Sequence, residues 1–215
     1  MNTRDLFAGA GSRVEPLSLG EGITLLRGFA DTARLFPIVR TIAEVAPFRH
    51  LVTPGGQTMS VAMTNCGEAG WVSDRTGYRY DRLDPESGKP WPPMPRVFVE
   101  LAQAAAARLA FSPFEPDVCL INRYAPGTRL SLHQDRDEKG YVDPIVSVSL
   151  GLPAVFLWGG DKRADRPRRV PLAHGDVVVW GGPSRLRFHG VLPLKDGEHP
   201  LVGRQRLNLT FRKAL

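Results

Sequence analysis

Cysteine is nearly absent from this 215-residue chain: Cys66 and Cys119 are the only two, too few for a disulfide framework. So few cysteines fit a reducing compartment better than secretion. Long apolar runs are missing as well. The most apolar stretch, Ile145 to Trp158, is interrupted by Ser147, Ser149, Gly151 and Pro153 and is too short to span a bilayer. The first residues, MNTRDLFAGAGSR, lack the apolar centre of a signal peptide. A soluble cytoplasmic protein is therefore expected. Lysine is scarce: only Lys89, Lys139, Lys162, Lys195 and Lys213 occur among the 28 basic residues, so arginine supplies the rest. Against 22 acidic residues the net charge is +6, which favours polyanionic partners, nucleic acid above all. Arginine suits bidentate contact with phosphate, although a GC-rich genome gives the same bias. No repeat and no low-complexity linker is visible.

What is present reads as one folded domain. Hydrophobic residues make up 42% and charged residues 23%, ordinary for a globular chain. The 22 glycines and 19 prolines predict many turns and short strands. The first ~20 residues show no periodicity and are expected to lie loosely over the body. Asp31 to Ala46 predicts a helix with an aspartate cap and Leu35, Ile38, Val39, Ile42 and Val45 on one side, with Pro37 placed to break or kink it. A second helix is predicted over Val97 to Leu109, after Pro92, Pro93 and Pro95. From Asp117 onward short strands take over: Val118–Tyr124, Ile145–Leu150, Ala154–Trp158, Asp176–Trp180, Arg187–Leu192 and Gln205–Lys213. Six strands without long helices between them point to an antiparallel sandwich or barrel, with N-terminal helices packed on a β core built by the C-terminal half.

The last strand has two unlike faces. Alternation puts Leu207, Leu209 and Phe211 on one side and Arg206, Asn208, Thr210 and Arg212 on the other. The polar side is either a wet outer face or the lining of a site for an anionic ligand. Arg206 and Arg212 lie roughly 20 Å apart along an ideal strand, a span over which two extended side chains can close on the ends of a short dicarboxylate.

The segment LSLHQDRD places His133 and Asp135 two apart, so on a strand both point the same way. His189, in RLRFHGV, is a candidate third ligand. Two histidines and one carboxylate on one face of an ion form the facial triad of non-haem Fe(II) oxygenases. Alone, His-x-Asp is a weak signal that occurs often in hydrogen-bonded loops. His50, His174 and His199 have no comparable partner in the sequence and are read as structural or exposed.

Five further stretches make the pattern specific: TPGGQTMSVAMTNCG (53–67), LINRYAPGTRLSLHQDRDE (120–138), PIVSVSLGLPAVF (144–156), HGDVVVWGG (174–182) and RLNLTFR (206–212). Together they resemble the AlkB family of Fe(II)/2-oxoglutarate-dependent nucleic-acid dealkylases, from about Phe48 onward. The resemblance implies a mainly β (α+β) fold: a double-stranded β-helix (jelly roll) core with N-terminal helices and a nucleotide-recognition lid. It implies a single domain over 1–215, with about 1–115 as N-terminal extension and lid and about 116–215 as catalytic core. It implies His133, Asp135 and His189 as iron ligands and catalytic centre. It implies Asn122, Tyr124, Arg206, Asn208 and Arg212 as the 2-oxoglutarate site, with Arg206 and Tyr124 at the distal carboxylate and Arg212 at the metal end.

The lid segment WVSDRTGYRYDR (71–82) interleaves Trp71, Tyr78 and Tyr80 with Arg75, Arg79 and Arg82. Aromatics that stack on bases beside arginines that hold phosphates suit a single strand or an extruded nucleotide; a plain hairpin with cross-strand aromatic pairs has the same pattern. The resemblance implies that Trp71 stacks on the damaged base opposite His133, that Tyr78 contacts the strand, and that Arg163, in the basic run 161–169, lies on the substrate side. Asp137 is placed to favour the cationic ring of N1-methyladenine or N3-methylcytosine, or else only pairs with an arginine or caps a turn. The implied activity is oxidative demethylation of such bases in DNA or RNA, with Fe(II) as cofactor and 2-oxoglutarate and O2 as co-substrates, releasing formaldehyde, succinate and CO2. Single-stranded or locally opened DNA, or RNA, is the expected partner of a monomer with no membrane association. Two rivals stay open: a 2-oxoglutarate oxygenase acting on protein or a small molecule, and a non-catalytic nucleic-acid-binding module.

Overall fold

The computed structural model describes residues 15–215. Its order is β1 (Leu17–Gly20), β2 (Ile23–Leu26), α1 (Thr32–Val45), β3 (Arg49–Val52), β4 (Thr58–Gly67), β5 (Gly70–Asp74), β6 (Gly77–Asp81), α2 (Arg96–Ala107), β7 (Val118–Tyr124), β8 (Leu130–His133), β9 (Ile145–Gly151), β10 (Ala154–Trp158), β11 (Arg168–Leu172), β12 (Val177–Trp180), β13 (His189–Val191) and β14 (Arg206–Arg212). A large sheet runs β1-β2-β12-β9-β14-β7-β4-β3 and a smaller one β11-β10-β13-β8, while β5 and β6 form a separate hairpin. All the pairings are antiparallel. Antiparallel sheets with helices near the N-terminus are what the mixed reading predicted.

Strict alternation divides the large sheet into two interiors. Ile121, Val146, Val148, Val177, Val179, Leu207, Leu209 and Phe211 face the helices and pack on Leu35, Val39 and Ile42 of α1 and Phe98, Ala102 and Ala105 of α2. The opposite face meets the small sheet through two separate apolar clusters. One gathers Ile145, Phe156, Trp158, Val178 and Trp180; the other gathers Val61, Met63, Leu120, Tyr124, Ala154 and Val191. Between the two lies a cavity of about 780 Å³, whose lining includes the polar side chains of Asn122, Ser147, Arg206, Asn208, Thr210 and Arg212. The sandwich is thus packed at its back and at both ends, and open in the middle.

Three expectations change. Residues 1–14 of the segment expected to lie loosely are outside the described residues, but Leu17–Gly20 is a strand paired with β2. The β core is not confined to the C-terminal half, because β1, β2, β3 and β4 all join the large sheet. Pro37 does not break α1, which runs unbroken from Thr32 to Val45. The carbonyl that Pro37 leaves without a donor belongs to Ala33, which is exposed and so open to water. Asp31 stands at the helix start without a side-chain capping bond. Among the described residues no helix is long and apolar enough to cross a membrane.

Candidate metal centre and anion pocket

The triad assembles across one strand pair. His133 ends β8, His189 begins β13, and the two are direct register partners. Gly190 permits that closeness: a Cβ there would sit 2.7 Å from the Leu130 carbonyl of β8. One donor atom each from His133, Asp135 and His189 lies within 4.8 Å of the others, a spacing that one metal ion can bridge. Each imidazole Nε2 stands 3.6 Å from an oxygen of Asp135. The Nδ1 atoms face carbonyls two residues back, Ser131 for His133 (2.8 Å) and Arg187 for His189 (3.0 Å). A carbonyl only accepts, so each Nδ1 carries the proton and each Nε2 keeps its lone pair for the ion.

Electrostatics hold the donors in their ligating states. His133 opens onto the cavity with about a third of its side chain accessible. Burial by its surroundings, helped by the neighbouring His189, nevertheless pushes its imidazole down to about 4, so it is neutral at pH 7. Burial pushes the Asp135 carboxyl up, but the Arg212 guanidinium and the imidazoles overcome this and hold it well below the usual carboxylate range. Arg212 Nη2 donates to Asp135 Oδ2 at 2.7 Å. Phe156, Trp158 and Trp180 wall in the His189 ring, with the Trp180 centroid 5.1 Å away.

The other polar residues of β14 reach into the same cavity, which settles the choice left open for that face: it is lined, not wet. Arg206 is buried, donates from Nη2 to Ser149 Oγ (2.9 Å) and lies 4.9 Å over the Tyr124 ring. Among the described residues its Nε and Nη1 have no partner, nor do Arg212 Nη1 and Asn122 Oδ1. Buried guanidinium donors left unpaired are costly unless an anion completes them. Burial pushes the Tyr124 phenol up, so it remains protonated beside Arg206. Asn208 differs. Its Nδ2 donates to Ser147 Oγ (2.8 Å) and the Val148 carbonyl (3.0 Å), while its Oδ1 accepts from Thr210 (3.2 Å), so it braces β9 against β14.

The lid aromatics form a hairpin that leans on the metal loop. Trp71 pairs in register with Tyr80, and Ser73 with Tyr78. Trp71 and Tyr78 stack at 5.6 Å with a 13° interplanar angle, covering one face of the indole. Among the described residues Asp137 neither pairs with an arginine nor caps a turn; its Oδ2 accepts the Trp71 indole N–H at 2.8 Å. Trp71, Tyr78, Asp137 and Arg163 all line the cavity, and Arg163 lies 5.5 Å over the Phe188 ring. Arg79 and Arg82 differ from the expected phosphate grip: Arg79 bonds Asp74, and Arg82 stands 3.7 Å from Glu68.

Two residues, Glu138 and Arg185, escaped the sequence reading. Glu138 accepts from the Tyr80 hydroxyl (2.8 Å) and stands 3.2 Å from Arg212 Nε and 3.3 Å from Arg185 Nη2. Arg185 Nη1 also donates to the Asp135 carbonyl (2.8 Å). Tyr80, Glu138 and Arg185 therefore tie the hairpin, the metal loop and Arg212 together. Glu138 sits inside a quoted motif, but nothing local reveals partners 47 to 74 residues away. His174 and His199 stack on each other at 4.1 Å with no carboxylate between them. His174 Nδ1 accepts from Gly151 N–H, and His199 Nδ1 faces the N–H groups of Leu201 and Val202, so both are structural. His50 is exposed.

The 2OG-Fe(II) oxygenase superfamily model matches residues 22–212. The alpha-ketoglutarate-dependent dioxygenase AlkB of Escherichia coli K12 is 57% identical over 212 residues, 98% of this chain and 97% of its own. The chain belongs to the AlkB family. The AlkB homolog of Caulobacter vibrioides NA1000 is 44% identical over 93% of this chain and 91% of its own. The solved structure of OsALKBH1 superposes with a TM-score of 0.79 at 32% identity, covering 93% of this chain and all of that one. This AlkB-family chain is accordingly an Fe(II)- and 2-oxoglutarate-dependent dioxygenase. Its donor set fits both groups: two imidazole nitrogens and a carboxylate for ferrous ion, and buried guanidinium nitrogens unpaired among the described residues for a dicarboxylate.

Proposed function

We propose that the enzyme removes methyl groups from ring nitrogens of nucleic-acid bases, N1-methyladenine and N3-methylcytosine, in single-stranded or locally opened DNA and in RNA. It does so as a cytoplasmic monomer. In this reading His133, Asp135 and His189 hold the ferrous ion, and Asn122, Tyr124, Arg206 and Arg212 hold 2-oxoglutarate, braced by Asn208. The observation that carries it is the pair of buried arginines with unmade hydrogen bonds in the cavity that also contains the triad. Bound together with 2-oxoglutarate and O2, ferrous ion supplies the power to hydroxylate an N-methyl carbon, after which the N-hydroxymethyl base sheds formaldehyde.

The chain's own residues orient and select. Arg206 offers two free N–H donors to the distal carboxylate, and protonated Tyr124 adds a hydroxyl beside it. Arg212, with its own charge opposed by Asp135 and Glu138, presents Nη1 at the metal end. Trp71, one face covered by Tyr78, offers the other to a flat ring. Asp137 accepts from the indole at the pocket, and a carboxylate there favours the cationic methylated base over the neutral parent. Arg163, exposed at the rim, meets the strand's phosphates. A damaged base costs less to extrude than a paired one, which adds selectivity before any contact forms.

The test is aerobic incubation of a single-stranded oligonucleotide bearing N1-methyladenine with enzyme, Fe(II) and 2-oxoglutarate. Formaldehyde and succinate are expected in equal amounts. Succinate formation stimulated by a methylated peptide instead would reassign the substrate, and neither product with any substrate would reduce the chain to a binding module.

A further inference from the structure

A second hollow lies beside the catalytic cavity. It encloses about 260 Å³ and is lined by His50, Ala62, Arg123 and Arg204, with Ala125 and Thr128 next to them. Among the described residues no acidic side chain lines it. Sheet register explains the space. His50 of β3, Ala62 of β4 and Arg123 of β7 are successive cross-strand partners, so their side chains share one face of the large sheet. Ala62, small between two long neighbours, leaves room above it. Arg123 also pairs with Leu207, whose face the helices cover, yet Arg123 itself is only half-buried.

The walls are fixed, and their neutral polar groups are already spent. Ser60 Oγ donates to the Arg129 carbonyl (3.1 Å), and Thr128 Oγ1 to the Ala125 carbonyl (2.7 Å). Backbone bonds from Gly127 to Leu194 and from Leu194 to Thr128 pin the turn between β7 and β8. Gln205, also on the wall, donates from Nε2 to the Val202 carbonyl. What stays available is basic. The Arg123 guanidinium lies 4.7 Å over the Phe48 ring, a contact that positions it without using its N–H donors. Arg204 gives Nε and Nη2 to Asp196 (2.7 and 2.6 Å), which leaves Nη1 for another acceptor. His50 engages the Met59 carbonyl through Nδ1, which leaves Nε2.

Hollow and cavity share a border. Ser60 lines both, and exposed Arg129, which follows Thr128 in the chain, lines the cavity. A strand with one base in the cavity carries its next phosphates over the rim, where guanidinium forks match phosphate oxygens. We propose that the hollow around Arg123 is a phosphate subsite that holds a phosphodiester of the substrate strand outside the reacting nucleotide. This rests on the reading that the chain acts on nucleic-acid bases. Because the contact lies outside the cavity, it adds affinity for a long strand and leaves the reacting base untouched.

Fluorescence anisotropy tests it, with two end-labelled single strands that carry one central N1-methyladenine, one a trinucleotide and one of about 15 nucleotides. The enzyme is loaded with Fe(II) and 2-oxoglutarate and kept anaerobic to stop turnover. Arg123→Met keeps an apolar stem on Phe48 and removes the charge. It is expected to weaken long-strand binding about 3- to 10-fold and to make the slope of log affinity against log salt shallower by about 0.7, the value of one phosphate contact. Trinucleotide binding should change less than about 2-fold, and Arg123→Lys should keep the parent's slope. Ala125→Glu, at an exposed position, leaves Arg123 in place and sets a carboxylate at the hollow; it should weaken the long strand in the same way. Long-strand affinity and slope equal to the parent in both Arg123→Met and Ala125→Glu would overturn the subsite. So would an equal loss on both strands, or a parent that binds both strands equally well. Polyglutamate binding that falls in Arg123→Met while long-strand binding holds would assign the hollow to an acidic protein segment instead. If the parent binds neither strand, the underlying reading falls and the subsite falls with it.

Discussion

The two faces of β14 fold under opposite rules. Leu207, Leu209 and Phe211 pack into the helix-facing core with nothing left unsatisfied, while Arg206 and Arg212, one residue out of phase, are equally buried and lack partners for several nitrogens. A period of two is all that separates them. The apolar face stabilises the sheet; the polar face opposes folding and is tolerated because an anion and a metal can complete it. Stability and function therefore sit on one strand without sharing a side chain.

Substitutions on each face should break this contrast in opposite ways. Phe211→Ala removes an aromatic in edge contact with Phe98 and is expected to cost about 3–5 kcal/mol in urea unfolding, with 2-oxoglutarate affinity of the folded fraction retained. Arg206→Met should do the reverse. Replacing a buried, underpaired charge by an apolar side chain is expected to leave stability unchanged or raise it by about 1–4 kcal/mol, while 2-oxoglutarate binding by calorimetry weakens about 10- to 100-fold. A destabilised Arg206→Met protein that still binds 2-oxoglutarate would erase the distinction.

Smaller effects sharpen it at and just beyond the hairpin, where charges are satisfied within the protein. Bonded by Arg49, buried Asp84 has its carboxyl lowered to about 2. A depressed folded value means the stabilisation is complete above the ordinary carboxylate range and is lost as pH falls through about 2. About 2 kcal/mol of acid-dependent stability is expected, and Arg49→Met should flatten that part of the pH–stability curve. Smallest of all, Trp71→Phe deletes the bond to Asp137 and should cost about 0.5–1.5 kcal/mol or less, read as faster hydrogen exchange of the β5–β6 amides rather than as a lower melting point.

Local pattern made the strand-level features legible. The alternation of β14 and the His-x-Asp step of β8 are visible because side-chain direction depends only on neighbours in the chain. Within the triad, His189 stood only as a candidate, since its pairing with His133 and the need for Gly190 arise only through the approach of β8. The N-terminal strands were illegible for a related reason: β1 and β2 are four residues each, β2 becoming a strand by pairing with β12 and β1 by pairing with β2. The basic run at 161–169 shows no strand pattern, yet β11 begins at its last two residues, where pairing with β10 and not composition decides. The Glu138–Arg185–Arg212 network is long-range charge pairing, which no window of sequence contains.

The most direct test of the central claim is an anaerobic titration of the enzyme with Fe(II) and 2-oxoglutarate, followed by the visible metal-to-ligand charge-transfer absorption that a chelated keto acid gives. One equivalent of each should develop the band in the parent, with quenching of Trp fluorescence, since Trp180 lies against His189. The band should be absent in His133→Ala and should require far more 2-oxoglutarate in Arg206→Met. A parent that shows no band, or a His133→Ala variant that develops it unchanged, would contradict the account.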